Sequence, residues 1–113
     1  MKITVERTGE TLADDARAAG SLVGRLVGLI GRTDMPPGTA LILPGCRQVH
    51  TALMRFPIDV VLADRGWRVV RVLRALDPWR VGPWCGSAFY AVELPAGSAA
   101  EVQVGDMLLV EDQ

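Results

Sequence analysis

From Met35 onward the chain is cut at short intervals by clusters that favour turns: Met35-Pro36-Pro37-Gly38, Pro44-Gly45, Asp64-Arg65-Gly66, Pro95-Ala96-Gly97 and Gly105-Asp106. Proline removes a backbone donor and fixes φ, and glycine reaches conformations that other residues avoid, so no long helix fits across these points. The segments between them are Ala40 to Leu43, Gln48 to Thr51, Ile58 to Ala63, Trp67 to Leu76, Phe89 to Leu94 and Met107 to Glu111. They are short and largely apolar, with valine, isoleucine and leucine prominent, as strands are. Ala63 to Trp67 has the clearest hairpin signal, a glycine-bearing turn flanked by valines and leucines, which predicts antiparallel pairing. Lys2 to Glu6 alternates polar and apolar residues, with Ile3 and Val5 on one face, and reads as an edge strand ended by Thr8-Gly9-Glu10.

A different pattern occupies Ala13 to Arg32. Helix formers dominate there, and Leu22, Leu26, Leu29 and Ile30 gather on one face at helical spacing. Gly20, Gly24 and Gly28 recur along the same stretch, a spacing that lets a neighbouring sheet approach closely. The expectation is therefore one packed α-helix followed by a sandwich or barrel of short strands.

The chain has 113 residues, half of them hydrophobic, enough for one core but too few for two. A formal net charge of -1, from 12 basic and 13 acidic side chains, gives no global field to recruit nucleic acid or an anionic membrane. Arg65, Arg68, Arg71 and Arg74 recur every third residue, but on a strand they alternate between faces and form no stripe, so nucleic-acid binding is disfavoured. No signal peptide pattern opens the chain, and no apolar run approaches the roughly 20 residues of a membrane-spanning helix. These features predict a cytoplasmic domain with Cys46 and Cys85 as reduced thiols.

The segment from His50 to Val61, His-Thr-Ala-Leu-Met-Arg-Phe-Pro-Ile-Asp-Val-Val, resembles the most recognisable motif of a bacterial and archaeal family, domain of unknown function 192. Arg25 to Arg32, Gly38 to Leu43, Leu76-Asp77-Pro78-Trp79-Arg80, Val92 to Gly97 and Gly105-Asp106 resemble its other signatures, in the same order, over about residues 13 to 111. Ala52-Leu53 and Ala63 are smaller than the residues associated with those positions, a departure that would enlarge or empty part of a pocket. The resemblance implies a mainly β fold, a single compact antiparallel β-barrel or sandwich, jelly-roll-like, with one packed N-terminal α-helix. It implies no established activity.

The candidate chemistry lies among the polar residues of these segments. His50 is the only histidine and the one side chain whose ordinary titration lies near neutrality, yet a buried structural histidine is the commoner role. Arg55 and Asp59 flank Phe56-Pro57-Ile58, a spacing that favours a structural clamp; alternatively Arg55 and Arg32 offer forked donors to an anion. Glu93 lies among apolar residues and needs a partner if it faces inward, which Arg55 or Arg32 would supply. Asp59 and Glu93 are the candidate carboxylate pair for glycoside hydrolysis, with Trp67, Trp79 and Trp84 as sugar platforms, although tryptophan more often closes a small β core. Cys46, His50 and Cys85 lack the fourth ligand of a zinc site, a Cys46 nucleophile would need His50 and Asp59 to activate it, and no glycine-rich phosphate loop follows a strand.

The reading that asks for least special chemistry is a non-catalytic binding or accessory module. Its pocket lies near Arg32, His50, Met54, Arg55 and Glu93 and takes a small polar or anionic ligand or a protein segment, without metal or cofactor. The alternatives are a hydrolase using His50 with Asp59 or Glu93, and a structural protein-interaction domain.

Overall fold

The computed structural model describes residues 1–19, 34–51 and 54–112. Eight strands follow one another: β1 (Lys2–Val5), β2 (Thr11–Ala13), β3 (Asp15–Ala18), β4 (Thr39–Pro44), β5 (Ile58–Ala63), β6 (Val69–Leu76), β7 (Tyr90–Pro95) and β8 (Leu108–Glu111). They form a three-stranded sheet of order β2-β1-β8 and a five-stranded sheet of order β3-β4-β7-β5-β6. Residues 48–51, expected as a strand, contribute only an isolated bridge between His50 and Val81.

Strand alternation explains how the sheets stack. In the five-stranded sheet Ala40, Ile42, Val61, Val92 and Leu94 join one core with Ile3, Val5 and Leu108 of the smaller sheet. Their sequence neighbours Leu43, Val60, Leu62 and Ala91 enter a second core on the opposite face, with Val49, Met54 and Phe56. The interior strand β5, between β7 and β6, is therefore buried at every position, which is why it reads as apolar at every position but Asp59 rather than as an alternating strand.

Three expectations about the fold are corrected. The helix predicted over Ala13 to Arg32 is absent from the described residues: its first part is the end of β2 and all of β3, and residues 20–33 lie outside the described residues. Tertiary pairing overrides alanine's helix propensity here. The N–H groups of Asp14 and Asp15 donate to Gly38 O, that of Ala16 to Met1 O and that of Ala19 to Ile42 O. Secondly, β3 pairs parallel with β4, whereas the other strand pairs are antiparallel. Thirdly, the sheets do not close into a barrel. They touch at two corners, through Met1 and Ala16 and through the bridge from Arg68 to Met107, but keep separate strand orders.

The Asp64 hairpin joins β5 to β6 antiparallel as predicted. Its left-handed residue is Trp67, with φ of 67°, not the glycine beside it. The Trp67 ring stacks on Tyr90 with centroids 3.7 Å apart and planes at 8°, a contact that offsets the cost of the unfavourable φ. Among the described residues no helix is long and apolar enough to cross a membrane.

Candidate functional site

The residues singled out from sequence differ in their burial. Arg32 lies outside the described residues. Met54 and Glu93 are both buried, Met54 in the second core and Glu93 paired in register with Leu41 and Val60 on the same sheet face. His50 is half-buried opposite Val81, and Arg55 is exposed.

Asp59 is held by three backbone donors. Its Oδ1 accepts from the N–H of Ala75 at 2.8 Å, and its Oδ2 from those of Gly97 and Ala99 at 3.0 and 2.9 Å. The carboxylate is a clamp, but onto the backbone of β6 and of the turn after β7 and not onto Arg55: among the described residues the ion pairs are Arg7 with Asp106 and Arg17 with Asp15. Asp59 is paired with Leu94, and Glu93 with Val60, so the two acids project from opposite faces of the sheet. They cannot flank one glycosidic bond.

Thr51, which the sequence reading passed over, is fully buried. Its hydroxyl donates to Asp77 O and accepts from Arg80 N–H at 2.8 Å, while its own N–H donates to Arg80 O. It fastens a loop whose Trp79, Val81 and Trp84 are exposed. Trp79 and Trp84 therefore do not close the core, contrary to expectation. Cys46 and Cys85 are both half-buried and form no disulfide.

The register of the large sheet builds a site elsewhere. Tyr90 begins β7 and is paired with both Pro44, the end of β4, and Ala63, the end of β5. The turns that follow β4 and β5 and the segment that precedes β7 are thus carried to one end of the sheet. Hydrogen bonds fix them there: Cys46 N–H to Phe89 O, Phe89 N–H to Ala63 O and Cys85 N–H to Arg47 O, all between 2.8 and 2.9 Å. Between them lies an open groove of about 300 Å³ lined by Arg47, Asp64, Arg65, Ser87 and Phe89 together with Gly66, Gly86 and Ala88.

Each charged group on the groove is held from one side. The Arg65 guanidinium sits 4.3 Å over the Phe89 ring, a cation–π contact that orients it without using its hydrogen-bond donors. Arg47 Nε donates to Gly86 O at 3.3 Å. Asp64 Oδ1 accepts from the N–H of Gly66 and of Arg68 at 2.9 and 3.0 Å. Phe89 in turn meets Tyr90 edge-on, 4.8 Å between centroids, so the wall behind Arg65 is an aromatic stack ending on Trp67. Two guanidiniums on one groove can receive a carboxylate or phosphate through several parallel N–H bonds.

The family model for domain of unknown function 192, described as "Uncharacterized ACR", matches residues 3–110. The chain belongs to this family. Two solved structures resemble this member of family 192 in fold. A protein of unknown function from Novosphingobium aromaticivorans aligns with a TM-score of 0.80 and 19% identity, covering 97% of this chain and 84% of that one. A protein from Sinorhizobium meliloti, described as "a putative transcription regulator", aligns with a TM-score of 0.74 and 20% identity, covering 96% and 89%. No curated protein matches the family 192 chain.

Proposed function

We propose that the domain is a non-catalytic binding module for a small anionic ligand, received between Arg47 and Arg65. The convergence of these two guanidiniums on one groove of about 300 Å³ carries the reading. Neither arginine is buried, so presenting them costs little desolvation, and each is oriented by a single contact that leaves other N–H groups for a ligand. Of the hydrolase alternative, His50 with Asp59 or Glu93, the Asp59 form is less well served, because Asp59 is engaged by three backbone N–H groups, and the Asp59–Glu93 pair for glycoside hydrolysis is split between opposite faces of the sheet.

DNA binding, suggested by the words attached to the Sinorhizobium protein, is less well supported here. Arg65, Arg68 and Arg74 turn to three different places: the Phe89 ring, Gly105 O, and the carbonyls of Ala99 and Val102. They do not present the continuous basic surface that phosphate tracking requires.

The test is thermal unfolding with inorganic phosphate, sulfate and citrate at constant ionic strength. A ligand that binds only the folded state raises the melting temperature, by an amount set by its concentration relative to Kd. The expected result is a rise in the wild type that Arg47→Ala and Arg65→Ala each reduce and the double variant abolishes. Silence across the three anions, or a rise that survives in the double variant, would remove the proposal.

A further inference from the structure

Two features, one beside the groove and one on its wall, are unnecessary for holding an anion alone. One is Trp84, whose indole is 66% exposed. Its Nε1 lies 3.7 Å from where a Cβ on Gly86 would sit, and Gly86 O is the acceptor for Arg47 Nε. The indole, which lies beside the groove and not on its lining, and the first guanidinium thus flank the same glycine. An indole kept in water forgoes the burial that makes tryptophan valuable, so its position beside a polar groove calls for a ligand surface to cover it.

The other feature is Asp64. A carboxylate on the wall weakens the attraction of the two arginines for a bare anion. Its Oδ1 is occupied by two backbone N–H groups; its Oδ2 takes no hydrogen bond among the described residues, and Asp64 lines the same groove as Ser87, whose Oγ lies 3.7 Å from Cys85 Sγ. Acceptors suit a ligand that brings several O–H donors as well as its negative charge.

We infer that the ligand is an anionic monosaccharide, a hexose bearing a phosphate or a carboxylate. The anionic group lies between Arg47 and Arg65, the hydroxyls are taken by Asp64 and Ser87, and the C–H face of the ring rests on Trp84. A cavity of about 300 Å³ is at the small end of ligand sites and suits one sugar ring rather than a chain. A flat aromatic acid would use the arginines and the indole but leave Asp64 without a donor. This inference rests on the anion-binding reading of the same groove.

Isothermal titration of the whole chain, with tryptophan fluorescence read in parallel, separates the two. The ligands are glucose 6-phosphate, mannose 6-phosphate, glucuronate, inorganic phosphate, glucose and benzoate at matched ionic strength. At least one sugar phosphate or glucuronate is expected to bind 10-fold or more tighter than inorganic phosphate, glucose or benzoate, and to change the fluorescence. Trp84→Ala, at an exposed position that leaves folding intact, is expected to bring that ligand to the affinity of inorganic phosphate and to abolish the fluorescence change. Equal affinity for phosphate and every anionic sugar would overturn the sugar assignment and leave the anion reading standing. Tighter binding of benzoate would likewise overturn it in favour of an aromatic acid. Binding of none of the six would overturn both readings.

Discussion

Asp106 and Arg7 join positions far apart in the chain through a two-point contact, Nε to Oδ1 at 2.7 Å and an Nη2 to Oδ2 at 3.1 Å. The guanidinium, aided by the N–H of Gln103, holds the Asp106 carboxyl below its ordinary value of 3.8, although burial opposes the shift. A carboxylate depressed in the folded state contributes stability that is fully present above its unfolded value. That contribution fades as pH falls below 3.8 and is gone once pH is under the folded value. The urea midpoint of Asp106→Asn is therefore expected to lie below that of the wild type at pH 7 and to converge with it at strongly acidic pH. An equal gap at both pH values would show that the ion pair is not its source.

Asp59→Ala leaves three backbone N–H groups without their acceptor, two of them in the turn after β7. Each such loss costs about 1–3 kcal/mol where water cannot reach, so the substitution is expected to destabilise by at least about 3 kcal/mol in chemical denaturation. Asp59→Asn keeps one oxygen acceptor and should cost visibly less. Were Asp59 instead a site residue, both variants would unfold like the wild type.

At Trp67 the usual ranking of substitutions is expected to invert. Both Trp67→Ala and Trp67→Gly lose the stack on Tyr90, worth about 0.5–1.5 kcal/mol beyond area burial. Only alanine keeps the cost of a left-handed φ of 67°, about 1 kcal/mol. The glycine variant should thus be the more stable of the two by urea denaturation, opposite to the order in an ordinary strand.

Gly38 has a φ of 83°, and a Cβ placed there would sit 2.7 Å from Asp14 Oδ1. Gly38→Ala is expected to cost about 1–3 kcal/mol, from the conformation and the clash together. Adding Asp14→Ala removes the clash but not the strained φ, so recovery of stability should be partial. Full recovery would place the whole cost in the contact with Asp14.

What the sequence disclosed follows the range over which each element is determined. β5 was legible because Ile58–Ala63 is apolar at every position but Asp59 and lies between Pro57 and the Asp64 turn, all local signals. β3 was not, because Asp15–Ala18 owes its extended state to Gly38, Met1 and β4, partners its own composition does not announce. The same division holds at the groove. Arg65 was visible only as one of four regularly spaced arginines, and Arg47 carried no signal of its own. They meet because Tyr90 is in register with both Pro44 and Ala63, a long-range fact. The glycines near them, Gly45 and Gly66, marked turns but not that the turns share one end of a sheet. Arg55 and Glu93 illustrate the converse: a recognisable motif surrounds the first, yet its side chain is exposed.

The pairing of Lys2 with Glu111 has a consequence for synthesis. Strand β1 emerges from the ribosome first, but β8, which flanks it on one side, emerges last. Until then the smaller sheet is a two-stranded ribbon of β1 and β2 with Ile3 and Val5 uncovered by Leu108, a lifetime of about 5–20 s at bacterial-like translation rates of 5–20 residues per second. The smaller sheet is thus completed only after β8 has been made, and during that interval a chaperone that shields short apolar strands has its clearest opportunity to bind.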